Sequence, residues 1–403
     1  MNVQLLREWF DELASAGADR GGGVTRLAYS AEEDLMFQKV ASFAAGLGLS
    51  AAEDCVGNMY ISFPGMEDEA CHTIGSHLDS VPRGGMYDGV IGVLAGLLVM
   101  EKVRRLGLPI PVKTAAFRCE ESSLYGLATA GSGAVTGSFD VPHLKRVKSL
   151  SGESLYDAMT KKGYSPGTCV LKPMLDFTEI HIEQGRVLWE SGDKIGVVTA
   201  IAAPTRLKVT FHGRQDHSGA TPMDLRKDAL CAAAEVILAV EKAGRDEKHL
   251  ATVATTGVVQ VTPGALNVIP GAAELRIDIR GIDKDSISRA AEAIRGAIKD
   301  AERTRGIPCD VEIISASDPV ALDEGVIESL AGAAEKSSLS WRRMASGAGH
   351  DAMKVAPLYP AGMVFIPCRE GISHSPEEEA SLEDVALGAE VILEGIKIRR
   401  GMV

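Results

Sequence analysis

HTIGSHL (72–78), GVIGVLAGLLVMEKVRR (89–105) and PVKTAAFRC (111–119) are the stretches that decide the fold. The first and third are short apolar runs and read as strands. The second is apolar all round, ends in basic residues that suit a helix C-terminus, and reads as a buried helix. Strand, buried helix, strand is the βαβ signature of a layered α/β domain with a largely parallel sheet. Upstream, Ser30-Ala31-Glu32-Glu33 has the form of a capping box ahead of a helix running to about Leu47, and 56–63 reads as a further strand.

From residue 205 the order changes. RLKVTFHG (206–213) is a strand, 224–244 a helix, 251–261 and 272–280 strands, 285–305 a long helix and 308–316 a strand. The order β-α-β-β-α-β is that of a ferredoxin-like unit. The expected organisation is a first part of the larger domain over 1–204, an inserted ferredoxin-like α+β domain over 205–317, and a return to the larger domain over 318–403. Helix and strand patterns resume there, at 325–337, 362–368 and 382–398.

The chain has 403 residues, 42 Lys plus Arg against 55 Asp plus Glu, and a formal charge of −13. That balance argues against a nucleic-acid or anionic-membrane surface. The longest strongly apolar run, Val90–Met100, is too short for a membrane span of about 20 residues, and the charged, amphipathic N-terminus does not read as a targeting signal. Seven scattered cysteines without a CxxC read as reduced thiols of a cytoplasmic protein.

Nine histidines are available, and three lie in patterned surroundings. His77, in Gly75-Ser76-His77-Leu78-Asp79-Ser80, ends an apolar strand, and the period of two puts Asp79 on its face. By itself this also reads as a hydrogen-bonded strand-end histidine. Asp88 lies in the glycine-rich GGMYDG before the buried helix, where it reads either as an N-cap or as a cation ligand. Glu120 and Glu121 end another strand. Such a pair is either a solvated loop or, beside a metal, a ligand next to a general base. His181 lies in the strand pattern TEIHIEQG, and His374 in the turn GISHSP. Three histidines with carboxylates and no thiolate suit Zn²⁺, Mn²⁺, Co²⁺ or Ni²⁺, and five ligand positions with a free acid read as a two-metal site.

Taken together and in order, GSHLDSVPRGGMYDG, FRCEES, TEIHIEQG, GRQDHSGATPM, GALNVIPG with RIDIRG, SGAGHDAM and GISHSPEE resemble the di-metal aminoacylase/carboxypeptidase-like superfamily. Within it they resemble the N-carbamoyl-L-amino-acid hydrolase and allantoate amidohydrolase branch. The resemblance implies a mixed-sheet, three-layer hydrolase domain carrying the ferredoxin-like insert. It implies two divalent ions per subunit: His77, Asp88 and His181 hold one, and Asp88, Glu121 and His374 the other. Glu120 is then the general base and Asp79 the partner of His77. Substrate-binding positions map to Gln184, His217, Asn267 and Arg280, with His217 also an oxyanion donor and Arg280 a grip on a carboxylate. His350-Asp351 reads as structural support. The implied activity is hydrolysis of a small N-carbamoyl-L-amino acid to amino acid, ammonia and CO₂ by a homodimer whose domains close over the substrate. Allantoate or ureidoglycolate hydrolysis, an aminoacylase or dipeptidase, and a non-enzymatic metal-binding protein are the rivals. Where relatives often carry Gly-Ser-Arg-Phe after the Glu pair, this chain has Ser122-Ser123-Leu124-Tyr125, without the cation.

Overall fold

The computed structural model describes residues 1–402. The chain forms two compact units, Met1–Thr199 with the stretch from Leu322 onward, and Ala200–Ala321.

The first unit is built on a nine-stranded mixed sheet. Its centre is four parallel strands lying side by side in the order Val112–Phe117, Cys71–His77, Met174–Ile182 and Ala361–Ile366. Nearly every residue of the four is buried, as expected of parallel strands covered on both faces. Antiparallel strands flank them: Ser50–Glu53 and Met59–Ser62 on one side, and Ile195–Ile201 against Ala361–Ile366 on the other. Trp341–Ser346 pairs in turn with Ile195–Ile201; these two strands and Ser50–Glu53 carry no strong period-two pattern, and the sequence reading does not include them. The helix Val90–Arg105 is buried along its first eleven residues and carries Lys102, Arg104 and Arg105 in its last turn, so its polar end suits the dipole.

The helix Ala31–Gly46 begins at Ser30, whose side chain accepts the Glu33 N–H. The capping box is not closed, however. Glu33 Oε2 accepts the N–H of Tyr29 at 2.6 Å instead, and takes a 2.6 Å bond from the buried guanidinium of Arg118. A buried carboxylate finds a buried cation and leaves the cap half made.

The cysteine expectation needs correction. Cys55 and Cys169 form a disulfide, their Cα atoms 5.8 Å apart, while Cys71, Cys119, Cys231, Cys309 and Cys368 are free. Two tight turns meet there, with the Ser165 N–H on the Cys55 carbonyl. That proximity is tertiary and leaves no motif.

The second unit is a four-stranded antiparallel sheet in the order Cys309–Ala316, Ala203–His212, Ala272–Gly281, Val253–Thr262. The helices Ala229–Asp246 and Lys284–Arg305 cover one face. Leu207, Val209, Phe211, Leu275, Ile277 and Ile279 alternate into that core. Both helices start at an aspartate, Asp228 and Asp283, whose side chain accepts first-turn amides. Among the described residues no helix is long and apolar enough to cross a membrane.

Candidate metal centre

Parallel strands side by side bring their carboxyl ends to one edge, where ligands of α/β proteins bind. Here that edge collects the chemistry. His77 ends its strand in register with Phe117, and the chain continues from Phe117 to Glu120 and Glu121. His181 lies near the end of Met174–Ile182, in register with Phe365. Asp88 precedes the helix that returns from the His77 strand. His374 follows the fourth strand, at a φ of 56°. A non-glycine residue held in the left-handed region needs surroundings that enforce it, and such residues gather at functional sites.

The structure brings these side chains into two groups sharing Asp88. His77, Asp88 and His181 present one ligand atom each within 4.8 Å of one another, and so do Asp88, Glu121 and His374. Asp88 Oδ1 lies 2.9 Å from His181 Nε2 and 3.4 Å from His77 Nε2. Its Oδ2 lies 3.3 Å from His374 Nε2, which is itself 3.1 Å from Glu121 Oε1. Donors about 2.1 Å from a common ion at a tetrahedral angle stand about 3.4 Å apart. Asp88 does not cap the helix: the cap position is Gly89, without a side-chain bond and at φ 68°. A Cβ on Gly89 would lie 2.5 Å from the His77 ring, so this glycine is what lets helix start and histidine meet.

The histidine tautomers fit a cation. His77 Nδ1 is 3.2 Å from the Asp79 carbonyl and His181 Nδ1 is 3.0 Å from the Ile182 carbonyl. A carbonyl only accepts, so each ring carries its proton on Nδ1 and turns the Nε2 lone pair toward Asp88. A lone pair facing a carboxylate oxygen is repulsive unless a proton or a metal ion lies between. Without an ion, protons fill that role. Burial works against a charged His77, yet the Asp79 and Asp88 carboxylates raise its pKa well above the ordinary value. Burial likewise opposes, and Asp88 overcomes, for His181. Asp88 and Glu121 raise His374 to about 10. The donor set is all nitrogen and oxygen, of the kind that holds divalent ions.

Asp79 stands closer to the Glu pair than to the ring of His77. Its Oδ1 is 3.4 Å from His77 Nδ1, farther than its own carbonyl. Both carboxylate oxygens accept backbone N–H groups, from Glu120 and from Glu121. Glu120 is buried, its Oε2 4.0 Å from His77 Nε2. Burial, with Glu121, Asp351 and Asp79 adding charge repulsion against the attraction of His77, raises its pKa well above the carboxylate range. Gln184 Nε2 donates to Asp88 Oδ2 at 3.0 Å and lies 3.3 Å from His374 Nε2.

Of the layer that supports these side chains, the sequence reading names His350-Asp351 and misses Glu179 and Glu378. Glu179, fully buried, accepts Ser76 Oγ–H at 2.7 Å and the Ala352 N–H at 2.8 Å. Its signal was present: it shares the face of His181 two residues away, and a carboxylate inside a central strand needs partners. His350 packs edge-on against the His181 ring, centroids 4.7 Å apart. Burial, with the charge of His181, keeps it neutral, its pKa well below the usual range. Asp351 takes a 2.5 Å bond from Ser132. Glu378 holds the Asp88 amide.

The other positions lie in the second unit. His217 pairs with Val268 in a short antiparallel bridge. Its Nδ1 accepts the N–H groups of Gly219 and Ala220 at 3.0 and 3.2 Å, so the neutral ring carries its proton on the exposed Nε2 as a donor. The Asn267 carbonyl, beside that bridge, accepts the Ser218 N–H. Arg280 bonds to Asp278 at 3.0 Å. It lies at the far end of its strand from His217: Ala272, the end nearer His217, is roughly 26 Å from Arg280 at 3.3 Å per residue. The sequence placed both on one substrate, and the structure separates them within one chain.

The family model for peptidase family M20/M25/M40 matches residues 73–397. The chain is 37% identical over 399 residues to a ureidoglycolate hydrolase of Oryza sativa, covering 96% of this chain and 82% of the relative. It is 36% identical over 389 residues to an N-carbamoyl-L-amino acid amidohydrolase of Geobacillus stearothermophilus, covering 94% of each. A crystal structure of a hydantoinase/carbamoylase family amidase from Burkholderia multivorans superimposes with a TM-score of 0.92 at 33% identity, covering 99% of this chain and 98% of the other.

Proposed function

The chain belongs to peptidase family M20/M25/M40, and on that footing we propose that it is a metal-dependent amidohydrolase that cleaves a linear ureido C–N bond, releasing an amino acid, ammonia and CO₂ from an N-carbamoyl-L-amino acid. The observation that carries the reading is the sharing of Asp88 between two ligand groups with the buried, unligating acid Glu120 beside them. A structural ion site is closed and has no use for such an acid.

In this reading His77, Asp88 and His181 hold one divalent ion and Asp88, Glu121 and His374 a second, with Zn²⁺, Mn²⁺, Co²⁺ or Ni²⁺ as the candidates. Bound there, the ions supply Lewis acidity toward the ureido carbonyl and toward water. Glu120 takes the proton of the attacking water and returns it to the leaving nitrogen. Asp79 fixes the backbone that presents Glu120. Gln184 orients Asp88 and donates to substrate. His217, its Nε2–H free to donate, stabilises the oxyanion. Arg280 grips the substrate carboxylate bidentately, and Asn267 binds beside His217.

Arg280 lies roughly 26 Å along its strand from Ala272, the end nearer His217, so one copy is poorly placed to offer both side chains to one small molecule. The reading therefore takes them from two copies and makes the protein a homodimer. Supporting this, the edge strands of the second unit expose Val311, Ile313 and Ile314 on one side and Val253 and Val259 on the other, and exposed apolar edges invite pairing. A cytoplasmic location belongs to the same reading, with the Cys55–Cys169 disulfide standing against it.

The ureidoglycolate hydrolase relative favours a second reading, a ureidoglycolate or allantoate substrate at the same site. Ammonia release from N-carbamoyl amino acids, allantoate, ureidoglycolate, N-acyl amino acids and dipeptides, with each ion supplied in turn, separates these. Hydrolysis of acyl amino acids or dipeptides without ammonia would overturn the ureido reading. Hydrolysis of nothing would overturn the enzyme.

A further inference from the structure

The loop after the fourth parallel strand contributes His374, and four residues later Glu378, whose carboxylate is buried beneath the Gly84–Asp88 turn. Its Oε1 accepts the N–H groups of Tyr87 at 2.9 Å and Asp88 at 3.0 Å. Its Oε2 accepts from Ser373 Oγ at 2.9 Å. The buried guanidinium of Arg26 acts on this carboxylate electrostatically. The turn has room for it only because residue 85 is glycine: a Cβ there would lie 2.0 Å from Glu378 Oε1.

Ser373 Oγ is also 3.1 Å from Asp88 Oδ2. A hydroxyl has one proton, and here two carboxylates compete for it. Asp88 Oδ2 is the oxygen that faces His374, whereas Oδ1 faces His77 and His181. Gln184 Nε2 already donates to one lone pair of Oδ2, at 3.0 Å, so a second proton, from Ser373, would occupy the one that the second ligand group needs. With Glu378 in place the proton has another acceptor.

We infer that Glu378 is a positioning residue that draws the Ser373 hydroxyl proton away from Asp88 Oδ2 and so keeps that oxygen open for the cation of the Asp88–Glu121–His374 group. The inference rests on the two-ion reading above and adds to it which residue keeps the shared carboxylate available on one side. Glu378→Gln shows the logic. The amide oxygen still accepts the Tyr87 and Asp88 N–H groups, but the amide nitrogen now donates to Ser373 Oγ and turns its proton onto Asp88 Oδ2.

The test is Co²⁺ titration of metal-free protein, followed by visible absorption and calorimetry. Wild type is expected to take two ions. Glu378→Gln is expected to keep one at wild-type affinity and bind the other about 10–100-fold more weakly. The double variant Ser373→Ala/Glu378→Gln has no hydroxyl proton to misdirect and is expected to recover the second ion. A merely structural role for Glu378 predicts no such rescue. Should Glu378→Gln fail to fold, Gly85→Ala displaces the same carboxylate and is expected to lose the same ion. Glu377→Gln, one residue away and exposed, is the control and binds as wild type. Wild type that takes no second ion sinks the two-ion reading. Wild type that takes two, with Glu378→Gln binding both equally well or with no rescue in the double variant, sinks this inference alone.

Discussion

Asp79 Oδ1 accepts the backbone N–H of Glu120 at 3.0 Å, and Oδ2 accepts the next N–H at 3.0 Å. One carboxylate at the end of one strand thus fixes the peptide units that present both the candidate ligand Glu121 and the proposed general base Glu120 on its neighbour. The preceding residue, Cys119, has a φ of 54°, so the turn has no slack of its own. In Asp79→Asn one of the two amides would face an NH₂ group and lose its acceptor, at a cost of about 1–3 kcal/mol for a buried group. The expected result is a fall in kcat of about 10²-fold or more, as for other misplaced catalytic groups, with KM changed far less. Steady-state kinetics check it. A variant in which only KM rises would show that Asp79 serves substrate binding.

Replacing Glu120 by Gln removes the proton acceptor without changing shape or backbone. Because Glu120 belongs to neither ligand group, the variant is expected to bind ions as wild type while kcat falls by about 10²–10⁴-fold. Metal analysis and turnover on the same preparation decide it. Retention of most activity would remove Glu120 from the mechanism.

The residues of the two candidate ligand groups were legible because they stand in or at the end of apolar runs or in tight turns, where a polar residue needs a reason. His77 and His181 stand at the ends of buried strands, and their placement on one edge follows from parallel pairing. The supporting carboxylates Glu33 and Glu378 were not legible, unlike Asp79 and Asp351. Glu33 sits at a capping-box position and was read locally, yet its carboxylate bonds Arg118, 85 positions away. Glu378 follows a recognisable turn, but its partners lie 290 positions upstream. The Cys55–Cys169 pairing spans 114 positions. Each such contact is made by the tertiary fold alone, and local pattern carries no trace of it.

That disulfide gives a direct check. Denatured protein prepared without reductant is expected to react with a thiol reagent at five cysteines, and at seven after reduction. Seven before reduction would show the pair to be two thiols and would favour a reducing compartment.

His374 sets a pH dependence. Its pKa in the metal-free protein is raised from 6.5 to about 10 by Asp88 and Glu121. A raised histidine stabilises the fold fully below 6.5, and that contribution is lost as pH climbs through about 10. An ion needs the same nitrogen unprotonated, so loading between those limits expels a proton. Ion affinity at the His374 group is therefore expected to rise with pH, about tenfold per unit for one proton released. The gap in Tm between loaded and chelated protein should widen over the same window. Calorimetry at pH 7.5 in buffers of different ionisation heat counts the proton directly. An affinity that is flat from pH 7 to 9 would show that His374 does not bind the ion.

The distance of Arg280 from the end of its strand nearer His217 predicts complementation between inactive variants. If each substrate takes His217 from one copy and Arg280 from the other, His217→Ala and Arg280→Ala are each inactive as homodimers. In a mixed dimer one site inherits both substitutions and the other inherits neither. Denaturing and refolding an equimolar mixture, or co-expressing the two, makes half the dimers mixed, with one intact site in each. Recovered activity is then about a quarter of wild type, as the two-fold symmetry of such a dimer requires. Activity that stays at the level of the separate variants would mean that both residues act from one copy, or that one of them does not touch substrate. Co-expression with a wild-type chain separates those cases. If both residues act from one copy, a double variant His217→Ala/Arg280→Ala paired with wild type retains one good site. If they act across copies, both sites of that pair are damaged.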